Sequence, residues 1–393
     1  MISNANTDKK SLQLFDLKTK TFTKVIYSHP KYDIDEAILS QNGDEIVGVS
    51  YVNNGYYKQH YFSDDLTQFH SRLNQVSGSQ NTFLIDTARK NSNRLFNVSD
   101  SDNSGEVFVY NQSKNEFKSL VKLRPWLENA NLQKSELISL KTEDNSNLEA
   151  FITLPQNKND LSPLIVIPHG GPIGISDSRH YSANIQVLVN AGFATLQVNY
   201  RGSSGYGKKF KRSGMQQWGE LIEDDIEQAL SHVKESYQVS PNKVCIVGGS
   251  YGGYSALYSV IRSPKLYQCA ASFAGVTDLA LLFQRSDVEN DDNIKKQLRE
   301  IVGDPDKEQE KLFKYSPIYR ANEIRTPLFI AHGTNDKVVD IEHAYRLKFA
   351  LSANKIPFQW SVLDDFGHGF DTTDQAELYY SQLITFLNTN LNQ

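Results

Sequence analysis

Apolar positions fall into two patterns along the chain. Beyond Leu161 they gather in short, nearly continuous runs at Leu164 to Ile167, Ala194 to Val198, Val244 to Val247, Cys269 to Phe273 and Leu328 to Ala331. Runs without polar alternation are what strands buried on both faces require. Phe358 to Leu363 alternates instead, as a half-buried strand does. Between the runs lie longer stretches with apolar residues at helical spacing, such as Leu221, Ile222, Ile226, Ala229, Leu230 and Val233, and again from Tyr254 to Ile261. Strand and helix in alternation predict an α/β domain: a mostly parallel, doubly wound sheet with helices on both faces.

The N-terminal region reads differently. It is rich in Asn, Ser, Asp and aromatic residues, lacks helical periodicity, and repeats itself: Leu14-Phe15-Asp16 with Phe22 lines up with Tyr61-Phe62-Ser63 with Phe69, and with Val109-Tyr110-Asn111 with Phe117. The offsets are 47 and 48 residues. Paired short strands at such a period are the pattern of β-propeller blades, and hairpins are expected from Ile38 to Val49, around Asn42-Gly43, and from Phe83 to Val98. A closed propeller takes about four to eight blades, whereas this segment holds two to three. Residues 1–124 are therefore expected to form a smaller, partial β-propeller-like domain, and residues 125–393 the α/β domain. Either Met1 begins a shortened form or the chain is a piece of a longer one. Exposed β edges are expected to pair with another subunit in a homo-oligomer, or to curl onto the larger domain.

The candidate chemistry centres on Ser250, in Gly248-Gly249-Ser250-Tyr251-Gly252. The run Val244 to Val247 before it and the helical stretch after it give the strand, sharp turn and helix of a nucleophile elbow, the signature of the α/β-hydrolase fold. That fold orders its catalytic residues Ser, then Asp or Glu, then His. Asp336 follows the strand-like Leu328 to Ala331 in His332-Gly333-Thr334-Asn335-Asp336, and His368 lies between glycines in Phe366-Gly367-His368-Gly369-Phe370. His368 is expected to take the Ser250 proton, and Asp336 to hold the tautomer and stabilise the imidazolium. One oxyanion donor in this fold is the N–H after the nucleophile, here Tyr251. The other is assigned to Gly171, in the loop Pro168-His169-Gly170-Gly171-Pro172, with His169 as a loop support. Asp224 and Asp225 read as a solvated or capping pair, and Arg201 as a structural hydrogen-bonding residue.

Five ordered segments together resemble the prolyl oligopeptidase family: His169 to Pro172, Asn199-Tyr200-Arg201-Gly202-Ser203-Ser204-Gly205-Tyr206-Gly207, Gly248 to Gly253, His332-Gly333 with Asp336, and Gly367 to Phe370. Arg124-Pro125-Trp126-Leu127, leading towards Glu149 to Pro155, is similar to that family's approach to its hydrolase domain. Within the family the likeness is to acylaminoacyl peptidases and bacterial dipeptidyl peptidases. It implies a serine peptidase acting on short or acylated peptides, with a β-propeller that excludes large folded substrates. Two departures bear on specificity. Family members often carry Arg two residues after the catalytic Asp, whereas here Val338 and Val339 occupy the candidate substrate-binding positions beyond Lys337. No Glu-Glu cluster of the kind that holds a free N-terminal amine occurs in residues 1–120. Both favour an acylaminoacyl-like peptidase, or a carboxylesterase with the same residues, over a strict dipeptidyl peptidase. The reading from a different class is a non-catalytic β-edge interaction module.

Composition sets outer bounds. The 393 residues exceed one typical domain, and a net charge of −5 without a basic block excludes nucleic acid as an expected partner. No apolar run approaches the 18 or so residues that span a bilayer, and Met1 to Lys10 lacks the apolar core of a signal peptide. A cytoplasmic location follows if Met1 is the natural start. Cys245 and Cys269 both lie in predicted core strands and are expected to be buried free thiols. No metal site and no cofactor are expected, because this chemistry needs neither.

Overall fold

The computed structural model describes residues 1–391 apart from 80, 89–92, 112, 157–160, 285–287, 289 and 290. The chain forms two compact units. Met1–Leu137, Ser178–Gln186 and Ser204–Phe210 make the first; Ile138–Asp177, Val187–Ser203 and the chain from Lys211 onward make the second.

Among the described residues the first unit holds three small antiparallel sheets. β1 (Ile2–Ser3), β2 (Ser11–Asp16) and β3 (Thr21–Tyr27) form one; β4 (Glu36–Leu39), β5 (Ile46–Asn53) and β6 (Tyr56–Tyr61) form another. β7 (Thr82–Thr87), β8 (Arg94–Asp100), β9 (Asn103–Asn111) and β10 (Glu116–Lys122) form the third. Leu12, Ile34 and Val49 are buried together as a core for the first two. In the sequence repeat, Phe15 faces Phe22 across β2 and β3, and Tyr110 faces Phe117 across β9 and β10. The middle copy differs, because Phe69 lies on the helix Asp64–Ser77. The Ser63 side chain accepts the Leu66 N–H as an N-cap, Asp64 and Asp65 sit at the positive end of the helix dipole, and Gly78 closes the helix with φ 66°. These local signals outweigh the similarity of aromatic spacing.

The second unit is built on an eight-stranded sheet. Its strands are β11 (Ser135–Lys141), β12 (Asn147–Thr153), β13 (Ser162–Ile167), β14 (Ala194–Asn199), β15 (Val239–Gly249), β16 (Cys269–Phe273), β17 (Leu328–Gly333) and β18 (Phe358–Leu363). They are ordered β11-β12-β14-β13-β15-β16-β17-β18. From β14 to β18 every neighbouring pair is parallel, and β12 is antiparallel to β14. Leu164, Ile165 and Val166 of β13 and Val244, Cys245 and Ile246 of β15 are fully buried, which is why those runs are continuously apolar. The helix Leu221–Ser236 buries Ile222, Ile226, Ala229, Leu230 and Val233 as its periodicity predicts, whereas Leu221 at its start is exposed. The helix Thr373–Leu391 adds Tyr379, Leu383, Phe386 and Leu387 to a core containing Phe329 and Phe273. Each such side chain contributes about 1.5–3 kcal/mol by leaving water.

Two expectations are corrected here. Cys245 and Cys269 are joined by a disulfide and are not free thiols. They face each other in the register of β15 and β16 with Cα atoms 4.7 Å apart, a separation that a disulfide spans. Apolar runs locate strands but say nothing of which residues stand opposite. Asp225 is likewise not solvated: it is buried and accepts Nε and Nη2 of Arg201 at 2.9 and 2.6 Å and the Arg201 N–H at 2.8 Å. Its neighbour Asp224 pairs with Arg262. Arg201 also reaches Asp144 at 3.0 Å, but that carboxylate is half exposed. Removing one partner of a buried pair strands the other charge without water. Arg201→Ala is therefore expected to cost about 3–5 kcal/mol, against about 1 kcal/mol or less for Asp144→Ala. Urea unfolding of both variants checks this; equal losses would contradict it.

Candidate active site

Ser250 joins the end of β15 to the helix Tyr251–Arg262, with φ 58° and ψ −122°. A side chain at positive φ costs about 1–3 kcal/mol, so the surrounding structure must hold it there. The Ser250 N–H donates to the Phe273 carbonyl at 2.9 Å, and the Ser250 carbonyl accepts the Tyr254 N–H at 3.0 Å. Glycine makes the turn possible by close approach. A Cβ on Gly248 would strike the backbone of Gly252, one on Gly252 would strike the Pro168 carbonyl oxygen, and one on Gly253 would stand 2.8 Å from the Gly275 Cα. Ser250 is thus held where the loop after β13, the turn after β15 and the segment after β16 meet.

The loop after β13 lies beside the serine. A Cβ built on Gly170 would be 3.6 Å from the Ser250 Cβ, and Gly171 has φ 125°, a conformation that favours glycine. His169 is buried under this loop: Nδ1 lies 2.8 Å from the Gly170 carbonyl, Nε2 lies 2.8 Å from Ser203 Oγ, and the ring stacks on Tyr200 at 4.1 Å. The Tyr200 hydroxyl donates to the His169 carbonyl at 2.7 Å. Burial pushes the imidazole down to about 4, so it is neutral at neutral pH and serves as a support.

Asp336 and His368 are brought together from the ends of β17 and β18. The Asn335 N–H donates to the Phe366 carbonyl at 2.8 Å and the Thr334 N–H to the Leu363 carbonyl at 3.1 Å, which ties the two loops side by side. His368 Nδ1 donates to Asp336 Oδ2 at 2.8 Å. Oδ1 accepts the N–H groups of Val338 and Val339 at 2.8 and 2.9 Å. The candidate substrate-binding residues thus hold the acid through their backbones. The Val338 side chain is exposed and Val339 is buried.

No role for His332 follows from the sequence motifs. It is buried, with Nε2 2.8 Å from the Val339 carbonyl and 3.3 Å from Asp336 Oδ2. Its only signal in the sequence is a position at the end of a strand, four residues before the acid. Burial alone would push the Asp336 carboxyl up, but the hydrogen bonds from His332, His368, Val339 and Val338 outweigh it and hold the group well below the usual carboxylate range. The His368 side chain is one-quarter exposed. Among the described residues no hydrogen bond joins it to Ser250 Oγ; catalytic contacts of this kind often tighten only when substrate binds. No cluster of three or more metal-ligating side chains occurs among the described residues. Nor is any described helix long and apolar enough to cross a membrane.

The sheet order, the antiparallel β12 and the strained serine turn after β15 define an α/β-hydrolase. The chain belongs to the prolyl oligopeptidase family, whose family model matches residues 179–393. It is 32% identical over 296 residues to dipeptidyl aminopeptidase BIII of Pseudoxanthomonas mexicana, covering 71% of this chain and 42% of that protein. It is 25% identical over 415 residues to dipeptidyl peptidase family member 6 of Caenorhabditis elegans, covering 98% and 55%. The structure of acylaminoacyl peptidase from Pyrococcus horikoshii shares its fold, with a TM-score of 0.74 at 18% identity over 92% of this chain and 56% of that one. The chain spans about half the length of these relatives.

The depressed Asp336 carboxyl has a consequence for stability. A carboxylate bound more tightly to its donors when ionised stabilises the fold above its unfolded-state pKa, and that contribution fades as pH falls towards the folded-state value. The wild-type urea midpoint is expected to drop on acidification below about pH 4, and to drop less steeply in Asp336→Asn. Parallel slopes for the two proteins would contradict this account of the site.

Proposed function

We propose that the protein is a serine peptidase acting on short peptides, with Ser250 as nucleophile, His368 as general base and acid, and Asp336 as the residue that orients and charges the imidazole. The observation that carries this reading is the 2.8 Å hydrogen bond from His368 Nδ1 to Asp336. With the proton committed to Nδ1, Nε2 is the free lone pair a base requires. Ser250 Oγ attacks the scissile carbonyl carbon as its proton passes to Nε2, and the imidazolium is stabilised by a carboxylate that stays ionised. The carbonyl electrons move onto oxygen, and the N–H groups of Tyr251 and Gly171 donate hydrogen bonds to that oxyanion. Tyr251 opens a helix, so its N–H stands at the positive end of the helix dipole. One donor of this kind contributes about 3 kcal/mol to the transition state.

Collapse of the tetrahedral intermediate breaks the C–N bond, and His368 gives its proton to the departing amine. The acyl group remains on Ser250 as an ester. Water, deprotonated by the same Nε2, then attacks that ester; the bond to Ser250 Oγ breaks, the acid leaves, and the proton on Nε2 returns to Oγ. The names of the relatives, a dipeptidyl aminopeptidase and an acylaminoacyl peptidase, support peptides as the substrate class. Val338, in place of a side chain able to donate to a substrate carbonyl, favours an acylated or blocked N-terminus over a free dipeptide.

A fluorophosphonate probe tests the assignment. Wild-type protein is expected to be labelled, Ser250→Ala to be unlabelled, and Asp336→Asn to hydrolyse acyl-amino-acid anilides about 10⁴-fold more slowly. Folded wild-type protein that takes no label would overturn the reading. Turnover of p-nitrophenyl esters without turnover of any anilide would replace the peptidase by an esterase.

A further inference from the structure

Glu223 is a buried carboxyl group to which the proposed reaction gives no task. It lies on the helix Leu221–Ser236 and is fully buried. Its Oε1 accepts the Tyr251 hydroxyl at 2.8 Å. Tyr251 is itself buried and is wedged among aromatic rings, with Trp218 edge-on at 4.5 Å, Tyr254 at 5.5 Å and Tyr200 at 5.7 Å. It is also the residue whose N–H follows the nucleophile.

No Lys, Arg or His forms an ion pair with Glu223 among the described residues. The nearby cation, Arg262, is engaged with Asp224 and Glu227. The other carboxyl oxygen, Oε2, has no hydrogen-bond partner among the described residues, nor have the Tyr254 hydroxyl and Trp218 Nε1 in the same cluster. A carboxylate with so few donors in an aromatic pocket is poorly compensated for the loss of water, and such a group neutralises by binding a proton.

We propose that Glu223 is a positioning residue of the oxyanion hole: as the neutral acid it anchors the Tyr251 ring, and through it the N–H that receives the developing negative charge. The inference rests on the proposed function and deepens it. Ionisation of Glu223 places an unpaired negative charge beside the residue that must stabilise an oxyanion, so transition-state stabilisation falls as the proton is lost. Burial pushes the carboxyl up to about 7, against the hydrogen bond from Tyr251, the charge of Arg262 and the smaller influences of its own backbone and of Ser255. The loss therefore falls near neutral pH. The titratable groups facing Glu223 are the phenols of Tyr200, Tyr251, Tyr254, Tyr258 and Tyr267, and Arg262. Burial raises every one of those phenols, so they stay neutral up to pH 9, and Arg262 stays charged.

The second-order rate of Ser250 labelling by a fluorophosphonate, measured from pH 6 to pH 9, reads this directly and involves no titrating substrate. The wild-type rate is expected to fall on the alkaline side as Glu223 ionises, whereas the Glu223→Gln rate stays level there. At pH 6, Glu223→Ala is expected to lose about 10- to 100-fold, and Glu223→Gln to restore most of that loss. A merely structural glutamate would leave the shape of the pH profile unchanged. Coincident wild-type and Glu223→Gln profiles, or a Glu223→Ala rate within threefold of wild type, would overturn the inference alone. Should Glu223→Ala fail to fold, the Glu223→Gln profile decides by itself. Wild-type protein that is never labelled overturns the function and this inference together.

Discussion

Three backbone segments meet at one point with no room for side chains, and the rest of the second unit is arranged around that contact. Gly248 and Gly252 leave space for each other, Gly252 admits the Pro168 carbonyl, and Gly253 admits Gly275. The turn holds Ser250 at positive φ because Val244 to Gly248 before it and Tyr251 to Ile261 after it are buried. Strain of this kind persists only where the surroundings over-determine it. The same contact fixes the loop after β13 beside the serine, so the proposed second oxyanion donor and the nucleophile are placed by one packing arrangement.

Two carboxyl groups near this point meet opposite fates, and the difference lies in their donors. Asp336 accepts two backbone N–H groups and faces two imidazoles, which outweighs the cost of burial and keeps it ionised. Glu223 accepts one hydroxyl and is pushed towards the neutral form. In the proposed mechanism the first supports a positive charge on His368 and the second avoids adding a negative charge near Tyr251. One residue chemistry thus serves two electrostatic ends, set by the number of donors each receives.

How much of this was legible in the sequence depended on the range of the interaction. β13, β14, β16 and β17 coincide with short, largely apolar runs because burial on both faces leaves few polar positions, and the elbow was readable from Gly248 to Gly253 because the turn is local. The polar stretch near the start of β15, from Ser240 to Lys243, carried no such signal. The helix Asp64–Ser77 was hidden under a strand-like repeat although Ser63 and Gly78 mark its ends. Register was not readable at all, so the pairing of Cys245 with Cys269 appeared only with the fold. His332 and Glu223 were missed for the same reason: each gains its meaning from a partner that tertiary structure supplies.

The measurement that bears most directly on the central claim is a crystal structure of the fluorophosphonate-treated protein. The account predicts phosphorus bonded to Ser250 Oγ, a phosphoryl oxygen about 3 Å from the backbone nitrogens of both Tyr251 and Gly171, and His368 Nε2 turned towards the adduct while Nδ1 remains on Asp336. An adduct on another residue would contradict it. So would a phosphoryl oxygen facing solvent with the imidazole out of reach.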